Sequence, residues 1–452
     1  MKTISARQTA IKVLNHYDFS PKGSVDILDK YIEQSDDKSL CKELVLGVVR
    51  NKTAIDCIVK AAANVEPSRI NKRVINVIRI AVYELVYANS ADYAAVNEAV
   101  EAARKFSSAK TAGFVNAVCR NVQRNIVNKS TTSEKKTQTA LPVFDGNFCQ
   151  FKKDVLPNPT KAPAEYLSIA FSLPQWLMES WVKNFGFEQA FDICLGSNRR
   201  PTIYLRPNTL KTNRDELCKL FEQSQIGFEI VPDSAALKIK TGKPIHTLPG
   251  FADGLFTVQD LTASKVIDNL ELAPDATILD LCSAPGGKTA QLSQAFPKAN
   301  IIATDTNTTR LKLVHQTCQR LSLVNVKIVE YKNLADELKK YSRLDAVLLD
   351  VPCSNTGVLA KRAEVRWRLK PESIVELAKI QRQILLDASN FIPKPQTIIF
   401  STCSIENTEN AKIVQDFLST HKDYKLAKQE LTLPHNGSLD YDGGYFAILN
   451  QN

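Results

Sequence analysis

The chain has 452 residues, 44% hydrophobic and 23% charged, an ordinary globular mixture long enough for two or three domains. Ten cysteines include no CxxC pair, and five histidines offer no HxxxH or zinc-finger spacing, which argues against a metal site and against a disulfide framework. The net charge of +10 is uneven: residues 1–126 carry 19 Lys and Arg against 13 Asp and Glu, residues 127–163 carry 6 against 3, and residues 164–452 carry 33 against 32. That excess in the N-terminal third suits a polyanion as well as it suits a solvated surface. The opening MKTISARQTAIKVL holds no long apolar segment, and no run of about 18 apolar residues occurs anywhere, so a cytoplasmic protein without a membrane span is expected.

Residues 4–19 place Ile4, Ala10, Ile11, Leu14 and Tyr17 on one helical face, with Ser5 as a cap. The same periodicity predicts helices over 40–49, 54–64, 70–87 and 96–106, and hence an all-α domain over 1–126. Within it, DYAAVNEAVEAARKFSSAKTAGFVNAVCRNV at 92–122 resembles the NusB-like RNA-binding helical module. Residues 127–163 are rich in Ser, Thr, Lys and Pro and read as a linker, although Leu141, Val143, Phe144, Phe148 and Phe151 could instead dock a loop on a neighbour. Residues 164–250 read as a small α+β module, with two helices over 173–195 and strands at 202–206 and 226–231 flanking a helix over 214–225. In SLPQWLMESW, YLRPNTLKT and, just beyond it, GLFTVQDLTAS it is similar to the pre-catalytic region of RNA cytosine-5 methyltransferases, where Arg206 would face RNA.

Over residues 251–452 strand and helix signals alternate, with near-continuous apolar strands at 277–281, 300–305, 326–330, 344–350, 397–402 and 445–449. The fold class is α/β: a Rossmann-like, doubly wound, largely parallel sheet with its ligands at the C-terminal strand ends. The first strand runs into TILDLCSAPGGKT, where Cys282, Ser283, Ala284, Pro285, Gly286, Gly287 and Lys288 form a glycine turn and open a helix. Glycines admit a ligand close to the backbone, and free helix-start amides favour polar groups. Asp305 ends the second strand, 19 residues beyond Gly286, and suits ribose hydroxyls. APGGK is not GxGxxG, which disfavours a pyrophosphate and points to a nucleoside such as S-adenosylmethionine.

Two further strand ends carry cysteines: DVPCSNTG at 350–357 and STCS at 401–404. A thiolate adding to C6 of cytosine makes C5 nucleophilic enough to take a methyl group. These segments, with RW at 366–367 and the closing DGGYFAIL, resemble the Sun/Fmu (RsmB) family of small-subunit ribosomal RNA cytosine-5 methyltransferases, in domain order from residue 4 to 449. The resemblance implies a class I SAM-dependent methyltransferase domain. Cys403 would be the nucleophile, Cys353 would assist release, Asp350 would bond the cytosine edge, and Lys288 would sit between cofactor and base. It also implies S-adenosylmethionine as cofactor and, as partner, a hairpin loop of small-subunit rRNA, naked or in an early assembly intermediate. No metal and no membrane are implied, and a monomer is the default. The basic segment Lys361, Arg362, Arg366 and Trp367 suits phosphate pairing and base stacking. The family's usual adenine-binding Asp is missing from VEYKNLAD, where Asn333 or Asp336 is the candidate substitute, and Asn355 stands where Gly or Ala is usual. Three alternatives stay open: a tRNA substrate, a non-catalytic NusB-type RNA-binding factor, and the two cysteines in reversed roles.

Overall fold

A computed structural model describes residues 4–17, 19, 26–88, 90–106, 108–132 and 136–452. The chain forms two compact units, one made of residues up to Arg200 with Leu359–Pro371 and His435–Ser438, the other of Pro201–Val358, Glu372–Pro434 and Leu439–Asn452. Among the described residues no helix is long and apolar enough to cross a membrane.

The first unit begins with α1 (Ala6–His16), α2 (Asp26–Ile32), α3 (Lys38–Ala63), α4 (Lys72–Tyr87), α5 (Asp92–Phe106) and α6 (Ala109–Asn125). Ser5 caps α1 as expected, its Oγ accepting from the Gln8 N–H at 3.4 Å. The two helices expected over 40–49 and 54–64 are the two arms of α3, which meet at a kink at Asn51, whose φ of −116° leaves the helical range while its side-chain amide donates to Gly47 O at 3.0 Å. The segment read as a linker is ordered instead: β1 (Ile126–Thr131), β2 (Ala140–Pro142) and β3 (Phe148–Phe151) form an antiparallel sheet in the order β1-β3-β2. Leu141, Phe148, Cys149 and Phe151 are buried there, so the apolar residues scattered through a polar stretch are its core face.

Three helices, α7 (Pro163–Phe171), α8 (Gln175–Phe185) and α9 (Phe187–Asn198), complete this unit, so the expected 164–250 module is divided at Arg200. The segment Leu359–Pro371 corrects a second expectation. Arg366 is 2% exposed, and its guanidinium donates to the carbonyls of Arg50 at 2.6 Å, Phe171 at 2.9 Å and Ala363 at 3.0 Å and to Asn198 Oδ1 at 2.8 Å. The Trp367 indole donates to Val49 O at 2.9 Å, and its ring meets the edge of Phe19. Both are packing groups, not RNA-facing ones; Lys361 and Arg362 remain exposed.

The second unit opens with β4 (Ile203–Pro207), α10 (Arg214–Gln223), β5 (Phe228–Ile230), β6 (Leu237–Ile239) and β7 (Phe256–Val258), an antiparallel sheet in the order β5-β6-β4-β7 with α10 against it. After α11 (Leu261–Asp268) come β8 (Thr277–Asp280), α12 (Gly287–Ala295), β9 (Asn300–Ala303), α13 (Thr308–Leu321), β10 (Val326–Ile328), α14 (Leu334–Leu338) and β11 (Leu344–Asp350). Past α15 (Val365–Arg368), which belongs to the first unit, come α16 (Pro371–Ser389), β12 (Pro395–Thr402), α17 (Ala411–Thr420), β13 (Tyr424–Thr432) and β14 (Gly444–Gln451).

The seven-stranded order is β10-β9-β8-β11-β12-β14-β13, with the first five strands parallel and β14 antiparallel to both its neighbours, β12 and β13. The chain leaves β8 outward through β9 and β10, then returns to the other side of β8 with β11. That reversal opens a crevice at the C-terminal ends of β8, β9 and β11, the place where open α/β sheets bind ligands.

Candidate active site

All four residues of β8 are buried, and the strand ends at Asp280 in the glycine turn. Gly286 has φ +104°, a conformation that favours glycine, and a Cβ there would press on Thr317 at 3.2 Å. The Ser283 N–H and Oγ donate to Thr304 O at 3.0 and 2.9 Å, which ties the turn to the end of β9. From α13, Arg310 donates to Ala284 O at 2.8 Å and Thr317 to Pro285 O at 2.9 Å. The turn is therefore held open from two sides before α12 begins at Gly287.

At its base, Asp280 Oδ2 accepts from Thr289 Oγ1 at 2.6 Å, while Asp280 Oδ1 and Thr304 Oγ1 are buried and find no partner among the described residues. Burial pushes the Asp280 carboxyl up to about 7 from an ordinary 3.8. The folded chain thus holds a proton that the unfolded chain releases between about 4 and about 7, and stability falls as pH rises through that window. Asp280→Asn cannot ionise, so its urea midpoint should gain on wild type as pH rises from about 4 to about 7; a constant difference would contradict this. Burial pushes the Cys282 thiol up to about 12, which disfavours its thiolate. Asp305 is buried beyond β9, with Oδ1 accepting from Asn307 N–H at 2.9 Å and Oδ2 3.6 Å from Arg310. Asn333 is exposed beyond β10, and Asp336 pairs with Lys339 at 2.8 Å.

Lys288, on the first turn of α12, reaches the end of β11, where its Nζ lies 2.7 Å from Asp350 Oδ2. Burial alone would lower the ammonium, but the Asp350 carboxylate, acting as charge and acceptor, outweighs it and raises Lys288 above its ordinary value. Asp350 stands opposite Ser401 in the β11/β12 register, and Ser401 Oγ donates to its Oδ1 at 3.1 Å. Three residues beyond Asp350 and two beyond Ser401 the two cysteines meet, Cys353 Sγ 3.1 Å from Cys403 Sγ. Cys353 is buried and Cys403 half-buried. The hydrogen bond to Cys403, followed by burial, holds the Cys353 thiol well above the ordinary range, so Cys353 keeps its proton.

Sequence reasoning missed what joins these two loops. Glu409 is fully buried and accepts from Ser354 N–H at 2.9 Å, from Ser354 Oγ, from Ser404 Oγ at 2.6 Å and from Gln381 Nε2 at 3.0 Å. One carboxylate thus binds the serine after each cysteine, and the matching Cys-Ser pairs were the signal that a shared acceptor existed. Gly357 brings a third segment in: its N–H donates to Cys403 O at 3.0 Å, its carbonyl accepts from Gly443 N–H at 2.8 Å, and a Cβ would lie 2.5 Å from Gly443 O.

Arg206 does not join the site as an RNA-facing group. It lies in β4, bonded to Gln259 at 2.5 Å and to Gln294, and burial lowers it to about 10. Neighbouring Tyr204 is buried with its hydroxyl on Asp440 O at 2.6 Å.

Three family descriptions match the chain in sequence: NusB over residues 4–124, a ferredoxin-like domain of RsmF/B-like methyltransferases over 173–246, and 16S rRNA methyltransferase RsmB/F over 267–443. A probable ribosomal RNA small subunit methyltransferase B of Synechocystis is 30% identical, over 99% of this chain and 96% of that one. The chain belongs to the RsmB/F methyltransferase family. A Bacillus subtilis protein of the same description is 29% identical over 94% of this chain and 90% of its own length. In structure, PH0851 is similar over the whole of both chains, with a TM-score of 0.72 at 23% identity. NSun6 from Pyrococcus horikoshii is similar over 62% of this chain and 98% of its own, with a TM-score of 0.53 at 21% identity. These two likenesses show the fold.

The methyl donor of RsmB/F enzymes is S-adenosylmethionine. The residues present fit it: Gly287 leaves open space at the turn, the buried acid Asp305 beyond β9 suits ribose hydroxyls, and Asp280 Oδ1 at the turn's base is a polar atom without a partner among the described residues.

Proposed function

We propose that the chain transfers a methyl group to C5 of one cytosine in a hairpin loop of small-subunit ribosomal RNA, through a covalent bond between Cys403 and C6 of the base. The observation that carries this reading is the 3.1 Å contact between two thiols of unlike burial, the inner one held protonated.

Cys403 is the more accessible sulfur; it gives its proton to solvent and adds as the thiolate to C6, which moves electron density onto C5. S-adenosylmethionine would be held by the 282–287 turn and Asp305 and supplies the electrophilic methyl. After transfer, the C5 proton passes to solvent water and the C6–S bond breaks, its electron pair returning to the Cys403 sulfur. Cys353, a thiol 3.1 Å away, donates a hydrogen bond to the departing Cys403 sulfur and eases elimination. Asp350, fixed by Lys288 and Ser401, accepts from the amino edge of cytosine. The base must be unstacked to reach Cys403, which favours a loop over a duplex. Lys361 and Arg362, with the basic excess of the NusB-like unit, supply phosphate contacts.

Cys353→Ala removes the group that assists release, so incubation with methyl donor and the target RNA should accumulate an enzyme–RNA adduct that survives denaturant on a gel. The same adduct from Cys403→Ala, and none from Cys353→Ala, would reverse the roles of the two cysteines.

A further inference from the structure

Asn355 lies two residues after Cys353 with φ +63°, a left-handed conformation that asparagine tolerates better than most residues. Its Nδ2 donates to the Cys353 carbonyl at 2.9 Å. Only the NH2 side of an amide can face a carbonyl, so this bond turns Oδ1 the other way, where Cys403 Sγ lies 3.3 Å off as its donor. A thiol has one hydrogen. With the Cys403 hydrogen on Asn355, the hydrogen between the two sulfurs must come from Cys353. A closed ring results, running from Cys353 S–H to Cys403 sulfur, from Cys403 S–H to Asn355 Oδ1, and from Asn355 Nδ2–H back to the Cys353 carbonyl.

We propose that Asn355 is a positioning residue that sets the direction of the hydrogen bond between the two thiols, accepting from the Cys403 S–H and so making Cys353 the donor. Its catalytic consequence rests on the two-cysteine reading above. The ring itself does not, because it is a property of the enzyme without RNA or methyl donor.

The test is the rate at which iodoacetamide alkylates Cys403 in the full-length protein near neutral pH, with no RNA and no methyl donor, followed by mass mapping of the Cys403 peptide. Asn355→Gly suits φ +63° and removes the acceptor. Its Cys403 should react roughly three- to tenfold faster than wild type, the worth of one hydrogen bond to the neutral thiol. Asn355→Asp keeps the shape but places a negative charge beside the sulfur, and its Cys403 should react more slowly than wild type. Opposite signs from two substitutions at one position are what general loosening of the loop does not produce. Equal rates in Asn355→Gly and wild type, or acceleration in both variants, would overturn the proposal. A failure of methylation with every RNA would overturn the proposed function and leave the alkylation result to decide the role of Asn355.

Discussion

Methyl transfer by Cys403→Ala is expected to fall to the background of the assay, a loss of more than about 10³-fold, because the substitution removes the bond-forming atom and leaves no substitute. Among the described residues Cys353 lies beside it, 3.1 Å from Cys403 Sγ, but it is buried and its thiol is held well above the ordinary range. Cys282, in the turn, is pushed up to about 12 and belongs to the methyl-donor half of the crevice. Transfer of labelled methyl from the donor into small-subunit RNA measures the loss. Turnover within tenfold of wild type would remove Cys403 from the chemistry altogether.

The second large effect is on stability. Arg366→Ala should lower the unfolding free energy of the first unit by about 3 kcal/mol or more, because it leaves several buried carbonyls without a donor and opens a space as well. The guanidinium gathers α3 through Arg50, α7 through Phe171 and α9 through Asn198 onto the Leu359–Pro371 segment, four stretches far apart in sequence. Burial, followed by the nearby Arg50 charge, lowers it to about 9, yet its carbonyl partners suit a cation and not a neutral side chain. A urea midpoint for the first transition that matches wild type would show that these bonds contribute nothing net. Arg366→Lys should recover only part of the loss, since one ammonium cannot reach partners arranged for a planar fork.

The catalytic half of the fold was legible in the sequence because parallel strands buried on both faces leave near-continuous apolar runs, and because each ends in residues that a strand would not otherwise choose. Asp350 and Ser401 face each other across β11 and β12, as adjacent strand ends in a doubly wound sheet require. β13 was not legible: five consecutive exposed positions in YKLAKQELT erase the alternation that marks a strand, and its pairing with β14 is non-local. The sheet over 126–151 was hidden by strands of 6, 3 and 4 residues inside a polar composition.

Arg366 and Trp367 misled for another reason. A cation beside an aromatic is the pattern of a nucleic-acid contact, and nothing local shows that Arg366 reaches the Phe171 carbonyl and Trp367 the Val49 carbonyl, 195 and 318 residues away. Arg206 fails the same way, since Gln259 and Gln294 lie 53 and 88 residues from it. Glu409 escaped because its role lies in what it joins, and alone it reads as an ordinary polar residue; Asn355 stood out as a departure, but its partners did not.

The most direct measurement is bisulfite mapping of 5-methylcytosine in the host's ribosomal RNA with and without this gene. One cytosine in a loop of the small-subunit RNA should resist conversion in the parent strain and convert fully in the deletion strain. A small-subunit RNA with the same protected cytosines in both strains, or a loss confined to tRNA, would contradict the assignment.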